Sequence, residues 1–274
     1  MKSIRQRELS ARSAQPALAI GDLAAPVLVF AAVVIAWELV VRFGRIPPVL
    51  LPSPQAVAAA VWKLRSDLLA ATARTALAAS VGLGLSVVLG TLLAFVFSQS
   101  SLVRRALYPY AVLLQTIPII AIAPIVIISF GRGFLSIALV SSVISLFPII
   151  TNTTTGLLQI DSNLLDLFRL NGATRLQTLL KLRVPSSLPF LLAGIRIASG
   201  SAIVGAIVGE FFVGSGQPGL GAMIQRKSAS FDLSELYATV LTSTALGTAA
   251  FATVTWLGGL MLHRWFGMNS AERN

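Results

Sequence analysis

Residues 152–188 read NTTTGLLQIDSNLLDLFRLNGATRLQTLLKLRVPSSL and lie between two long apolar runs. The stretch holds Asp161, Asp166, Arg169, Arg175, Lys181 and Arg183, too many charges for hydrocarbon. It also holds too little Gly, Ser and Pro for a flexible linker. We read it as a folded element strung between two membrane-crossing helices. Positions 164–170 and 173–182 read as two helical stretches, parted by Asn171 and Gly172, residue types suited to a helix C-terminus and turn. Pro185 and Pro189 are expected to punctuate the start of the following span.

Outward from this element the chain is strongly apolar. Of its 274 residues 55% are apolar and only 11% charged, against about 25% charged in soluble domains. Mean hydropathy is +0.84. At about 20 residues per crossing of ~30 Å of hydrocarbon, spans fall near 24–43, 74–97, 106–129, 135–152, 189–212 and 236–261. The expectation is an all-α polytopic membrane protein with six transmembrane helices. Residues 1–23 form an N-terminal tail, 24–274 one transmembrane domain, and 153–188 its long loop. Lys2, Arg5, Arg7 and Arg12 precede the first apolar run like the start of a signal peptide. Arg42, Phe43, Gly44 and Arg45 follow it without a small-x-small cleavage site, so the segment reads as a retained helix.

The connecting segments give orientation. On the side of the N-terminus they carry twelve Lys and Arg, and on the other side seven, with Arg74 and Arg196 left inside spans. The bias places both termini in the cytoplasm. The net charge of +11 is scattered over termini and connections rather than gathered on one face, which argues against nucleic acid and for lipid headgroups as the acidic partner. Cysteine is absent, removing disulfides, thiolate metal sites and a cysteine nucleophile.

Between the first two spans, Pro47, Pro48, Pro52 and Pro54 precede 55–66, where Val57, Val61, Trp62 and Leu64 stand beside Lys63 and Arg65, the pattern of a short interfacial helix. Gly82, Gly84, Ser86 and Gly90 let the second span approach its neighbours closely. In the third span Pro118 and Pro124 each remove a backbone donor, either opening a cavity wall or kinking the helix. Glu38 and Arg42 have the spacing of a local ion pair. Arg196 and Glu210 are charges inside a span, and such charges are functional candidates by default. Arg196 serves an inner gate or a dimer pairing, or else snorkels to headgroups. Glu210 lies at the outer mouth of a path or simply ends a helix.

The glycine-rich run 214–221 lacks the lysine of a phosphate-binding loop, so ATP chemistry belongs to another chain. The sole histidine, His263, stands at the end of the last span and the acids are dispersed, which argues against a catalytic or metal site. An ion-coupled secondary transporter is the alternative carrier, but it needs central acidic residues and repeated broken helices, and it gives the 152–188 element no purpose.

Within that element Leu176, Leu179 and Leu180 share a helical face, ringed by Arg175, Lys181 and Arg183. That suits an apolar knob pressed into a partner's groove or a helix resting on headgroups. Asp166-Leu167-Phe168, Gly172-Ala173 and Leu182-Arg183-Val184-Pro185 resemble the EAA loop of ABC importer permeases. Asp166 replaces the usual Glu, and two bulky residues replace the alanines. Leu51-Pro52-Ser53-Pro54, 117–124 with Phe130-Gly131-Arg132-Gly133, Gly194-Ile195-Arg196-Ile197-Ala198, Glu210 and Gly219-Leu220-Gly221 are similar to the nitrate, sulfonate and taurine branch.

The resemblance implies a type I ABC importer permease fold in the bacterial cytoplasmic (inner) membrane, with a cytoplasmic coupling helix between helices 4 and 5. It implies a second permease copy, two cytoplasmic ATPase subunits that bind ATP-Mg, and a periplasmic or lipid-anchored solute-binding protein. It gives this chain no cofactor or metal of its own. Asp166, Gly172, Ala173, Arg175, Leu179, Lys181 and Pro185 would form the ATPase-coupling loop, and Pro118, Pro124, Arg196 and Glu210 the path or its gates. The solute would be a nitrate-, sulfonate- or taurine-like anion, a pyrimidine vitamin precursor or a riboflavin-like molecule.

Overall fold

A computed structural model describes residues 20–213 and 218–266. The described residues form helices α1 (Ile20–Phe43), α2 (Pro54–Lys63), α3 (Arg65–Gln99), α4 (Ser101–Thr116), α5 (Ile119–Phe130), α6 (Phe134–Leu158), α7 (Ser162–Leu170) and α8 (Arg175–Thr178). A π-helical segment (Leu179–Arg183) then leads into α9 (Val184–Val213), followed by α10 (Leu220–Ala229) and α11 (Leu233–Phe266). Among the described residues there is no strand. The N-terminal tail 1–19 and residues 214–217 of the glycine-rich run lie outside the described residues.

Contacts divide the chain into two units, 1–59 and 60–274. In the first, the membrane-length portion Ala25–Phe43 of α1 is apolar except for Glu38 and Arg42. Ser53 begins α2, its hydroxyl accepting the Ala56 N–H at 3.2 Å, and Pro54 takes the first helical position, where its missing N–H costs nothing. No ion pair joins Glu38 to Arg42 among the described residues, so the helical spacing of that pair does not translate into contact.

In the second unit α6 is gripped between α3 and α9. A Cβ added to Gly82 of α3 or to Gly205 of α9 would collide with Ser141 of α6, the first with its side chain and the second with its backbone. Small residues thus bring three backbones together where water exclusion between helices is lacking. Polar groups complete the seams. The Ser141 hydroxyl donates to the Ala202 carbonyl at 2.8 Å, and the Ser86 hydroxyl to the Ser142 carbonyl at 2.8 Å. Ala78, Ala79, Ala202, Ile203 and Ala206 fill the contact between α3 and α9.

Two spans differ from their sequence reading. The third is not one helix over 106–129: α4 and α5 meet at a 100° bend. Ile117 is extended (φ −72°, ψ 124°), as steric conflict with the following Pro118 requires. Pro124 lies within α5 and does not break it. The fifth span does not start at Pro189. Helix runs unbroken from Arg175 to Val213, passing both Pro185 and Pro189. Just before Pro185, the Val184 N–H bonds to the Leu179 carbonyl five residues back. This wider π turn makes room for a ring that would otherwise press on the carbonyl four residues before it. Since α6 also extends to Leu158, the long loop shrinks to 159–174.

Candidate functional site

The shortened loop is a stiff elbow. At the end of α7 the Gly172 N–H donates to the Arg169 carbonyl and the Ala173 N–H to the Phe168 carbonyl, both at 3.0 Å. With Gly172 at φ +68°, this is the Schellman ending that satisfies otherwise orphaned carbonyls. One residue after Ala173, Thr174 opens α8 with a capping box. Its hydroxyl accepts the Gln177 N–H at 3.2 Å, while its own N–H donates to the Gln177 side chain at 2.8 Å. Two reciprocal caps therefore meet across Gly172 and Ala173.

The residues expected to serve the loop are distributed along this elbow. Asp166 pairs with Arg169 at 3.1 Å on an exposed face. Arg175 and Lys181 are exposed, Ala173, Leu179 and Pro185 half-buried. Leu176 and Leu180 project outward, 63% and 58% exposed, and Leu182 is buried inward. The π segment carries Leu179 and Lys181, so Pro185 belongs to the helix that leaves the elbow rather than to a break.

Glu210 is buried at 3% exposure, near the far end of α9. The Gly221 N–H donates to its Oε2 at 2.9 Å. The Leu220 N–H donates to the Thr75 hydroxyl at 2.9 Å, and that hydroxyl donates to the Glu210 carboxyl, 2.9 Å from each oxygen. Leu220 and Gly221 are the first two residues of α10, so an acidic side chain of one helix and a hydroxyl of another cap a third. That position also suits the positive end of the α10 dipole. A Cβ on Gly219 would fall on the Glu210 carboxyl, and one on Gly221 on the Ile207 carbonyl, which accounts for both glycines of the Gly219-Leu220-Gly221 triplet. Glu210 shares a cavity of about 360 Å³ with Arg74, Phe134 and Ile137.

Arg196 and Glu210 are far apart on α9, and the structure does not bring them together. Arg196 stands exposed beside Ile197, and its guanidinium forms no ion pair among the described residues. Pro118 is exposed at the α4–α5 bend, and Pro124 half-buried in α5.

Residues 86–268 match the family described as binding-protein-dependent transport system inner membrane component. The chain belongs to this family. It is similar to the formylaminopyrimidine transport permease protein ThiX of Halalkalibacterium halodurans, 38% identical over 86% of this chain and 94% of the relative. It is similar also to the riboflavin transport system permease protein RibX of Chloroflexus aurantiacus, 35% identical over 84% and 85%. The putative aliphatic sulfonates transport permease protein SsuC of Bacillus subtilis is 28% identical over 80% of each chain. The chain is thus an ABC importer permease of the all-α type I fold and a multi-pass membrane component, not itself an enzyme.

Several groups of the permease escape a linear reading. Thr75 is uncharged and 135 positions from its partner Glu210. Within the second unit the Glu235 carboxylate accepts from Lys63 at 2.8 Å and pairs also with Lys227 of α10. This hydrogen bond and the charge of Glu235 raise the Lys63 ammonium pKa above its ordinary value. Lys63 and Glu235 are 172 positions apart, and no sequence spacing marks them as partners. Among the described residues no group of acidic, His or Cys side chains could hold a metal ion.

Proposed function

We propose that this permease pairs with a second copy of itself to form the path for a small polar solute, delivered by a solute-binding protein and driven by two ATPase subunits. Both termini face the cytoplasm on this reading, as does the α7–α8 elbow. The observation that carries it is the uninterrupted helix from Arg175 to Val213. A partner that grips the α7–α8 elbow holds one end of a rigid rod whose other end is capped into α3 and α10 through Glu210. Closure of an ATPase pair would swing this rod as a body, the rigid-element form of a two-state transport cycle. The exposed residues Arg196, Ile197 and Val204 on α9, with half-buried Gly200 between them, form the face offered to the second copy, with Pro118 and Pro124 at the wall of the path. The relatives' names span a pyrimidine, a flavin and sulfonates, which supports a small polar solute without choosing one.

Gly172 supplies the test. A Cβ there would meet nothing within 4 Å, yet φ is +68°, so substitution strains the backbone, not the packing. The left-handed conformation costs about 1–2 kcal/mol for a residue with a side chain, which shifts the elbow equilibrium by about 5- to 30-fold. Gly172→Ala and Gly172→Trp should therefore reduce ATP hydrolysis by the purified complex to a similar degree, and Gly172→Asn less. Wild-type hydrolysis in both the Ala and Trp variants would remove the elbow from the coupling path.

A further inference from the structure

Beside the elbow lies a cavity of about 450 Å³, bordered by Ser98, Gln99, Arg169, Arg175, Thr178 and Arg183. Three arginines line it, and among the described residues no acidic side chain does. Arg175 forms no ion pair among the described residues. Arg183 donates to the Ser98 carbonyl at 3.4 Å and, among the described residues, forms no ion pair. Arg169 is engaged by Asp166, but on an exposed face where such a pair contributes about 0–1 kcal/mol. The carbonyl end of α3 supplies at most about half a negative charge, far short of three cations.

The height of the cavity in the membrane narrows its occupant. Ser98 and Gln99 are the last residues of α3, and Arg183 immediately precedes α9. Both helices are long and apolar enough to cross a bilayer, so the cavity opens where they leave the hydrocarbon, at the depth of headgroup phosphates. Thr178 and Ser98 add hydroxyls beside the arginines, and a guanidinium fork matches a phosphate's paired oxygens.

We propose that this cavity binds the phosphate of an anionic phospholipid headgroup, and that the bound lipid links the α3 terminus to the elbow. The site shares Ala173, Arg175 and Leu179 with the elbow proposed to meet the ATPase, but it requires only that α3 and α9 cross a membrane, so lipid binding by the permease alone tests it separately from coupling. Basic pockets between transmembrane helices are suited to such headgroups.

The test uses the full-length chain in mild detergent, titrated with phosphatidylglycerol or phosphatidylcholine of identical acyl chains and followed by native mass spectrometry. Phosphatidylglycerol should bind more tightly. Arg175→Gln should weaken that preference about fivefold, and Arg175→Gln with Arg183→Gln about 25-fold, on the basis of the attraction each basic residue contributes near a surface. Arg132→Gln, an equal loss of charge between α5 and α6, should leave it unchanged. The single Arg175 variant alters an exposed side chain, so it remains informative if the double variant folds poorly. Equal binding of the two lipids, or an undiminished preference in the Arg175 variant, would overturn the proposal. Displacement of phosphatidylglycerol by millimolar inorganic phosphate would also overturn it, by showing a site for free anions.

Discussion

Gly221→Ala should destabilise the permease strongly, with a larger effect than any other single methyl group we would add. The new carbon would fall on the Ile207 carbonyl oxygen and the Glu210 Cβ, backbone and near-backbone atoms in the last turns of α9 that have no rotamer to escape into. Overpacking typically costs about 1–3 kcal/mol. Displacing Glu210 would also orphan the Gly221 N–H, another 1–3 kcal/mol or so for a buried donor. Such a sum is a large part of the ~5–15 kcal/mol that keeps a typical domain folded. Thermal unfolding followed by size-exclusion chromatography in detergent should show a markedly lower midpoint for Gly221→Ala. Glu210→Ala removes the cap without the clash and should fall between that variant and wild type. An unshifted midpoint for Gly221→Ala would mean that α10 does not pack on α9 as described.

The second large effect concerns association rather than folding. Leu176→Asp with Leu180→Asp places two carboxylates on side chains that are 63% and 58% exposed, so the permease alone should melt as wild type does. If a partner ATPase buries this face, each leucine contributes about 1.5–3 kcal/mol, and loss of both weakens association by about 10²- to 10⁴-fold. Affinity purification of the tagged permease should then recover the ATPase with the wild-type chain and lose it with the double variant. Full recovery with an unchanged melting point would leave these leucines to the lipid surface.

How much of this could be read from the chain alone varies with the physics of each feature. Asn171-Gly172 announced a helix end because a left-handed residue favours glycine, and the Schellman bonds and φ of +68° are found there. The apolar runs marked where long helices lie, since hydrocarbon thickness is a coarse ruler, but not that the third run bends by 100° or that helix continues back from Pro189 to Arg175. Prolines were harder: Pro118 accompanies a 100° bend, while Pro124, Pro148 and Pro189 lie inside helices. A proline's removed donor is visible in sequence, but the neighbouring contacts that keep a helix together around it are not. Glu210 was conspicuous as a charge in a span, yet its task depended on Thr75 and Gly221, which no periodicity connects to it.

The π segment at Leu179–Arg183 also has a rotational meaning. A helix with one widened turn is out of phase, by about 100° per extra residue, with the same helix wound evenly. Leu176 and Arg196 lie on opposite sides of that segment, one on the elbow and the other on the exposed face of α9. Their bearing around the common axis is therefore not what a helical wheel drawn from the sequence would give. Removing one residue from Leu179–Arg183 would turn Leu176 by about 100° relative to Arg196, so these five residues set the bearing of the elbow against the exposed face of the same rod.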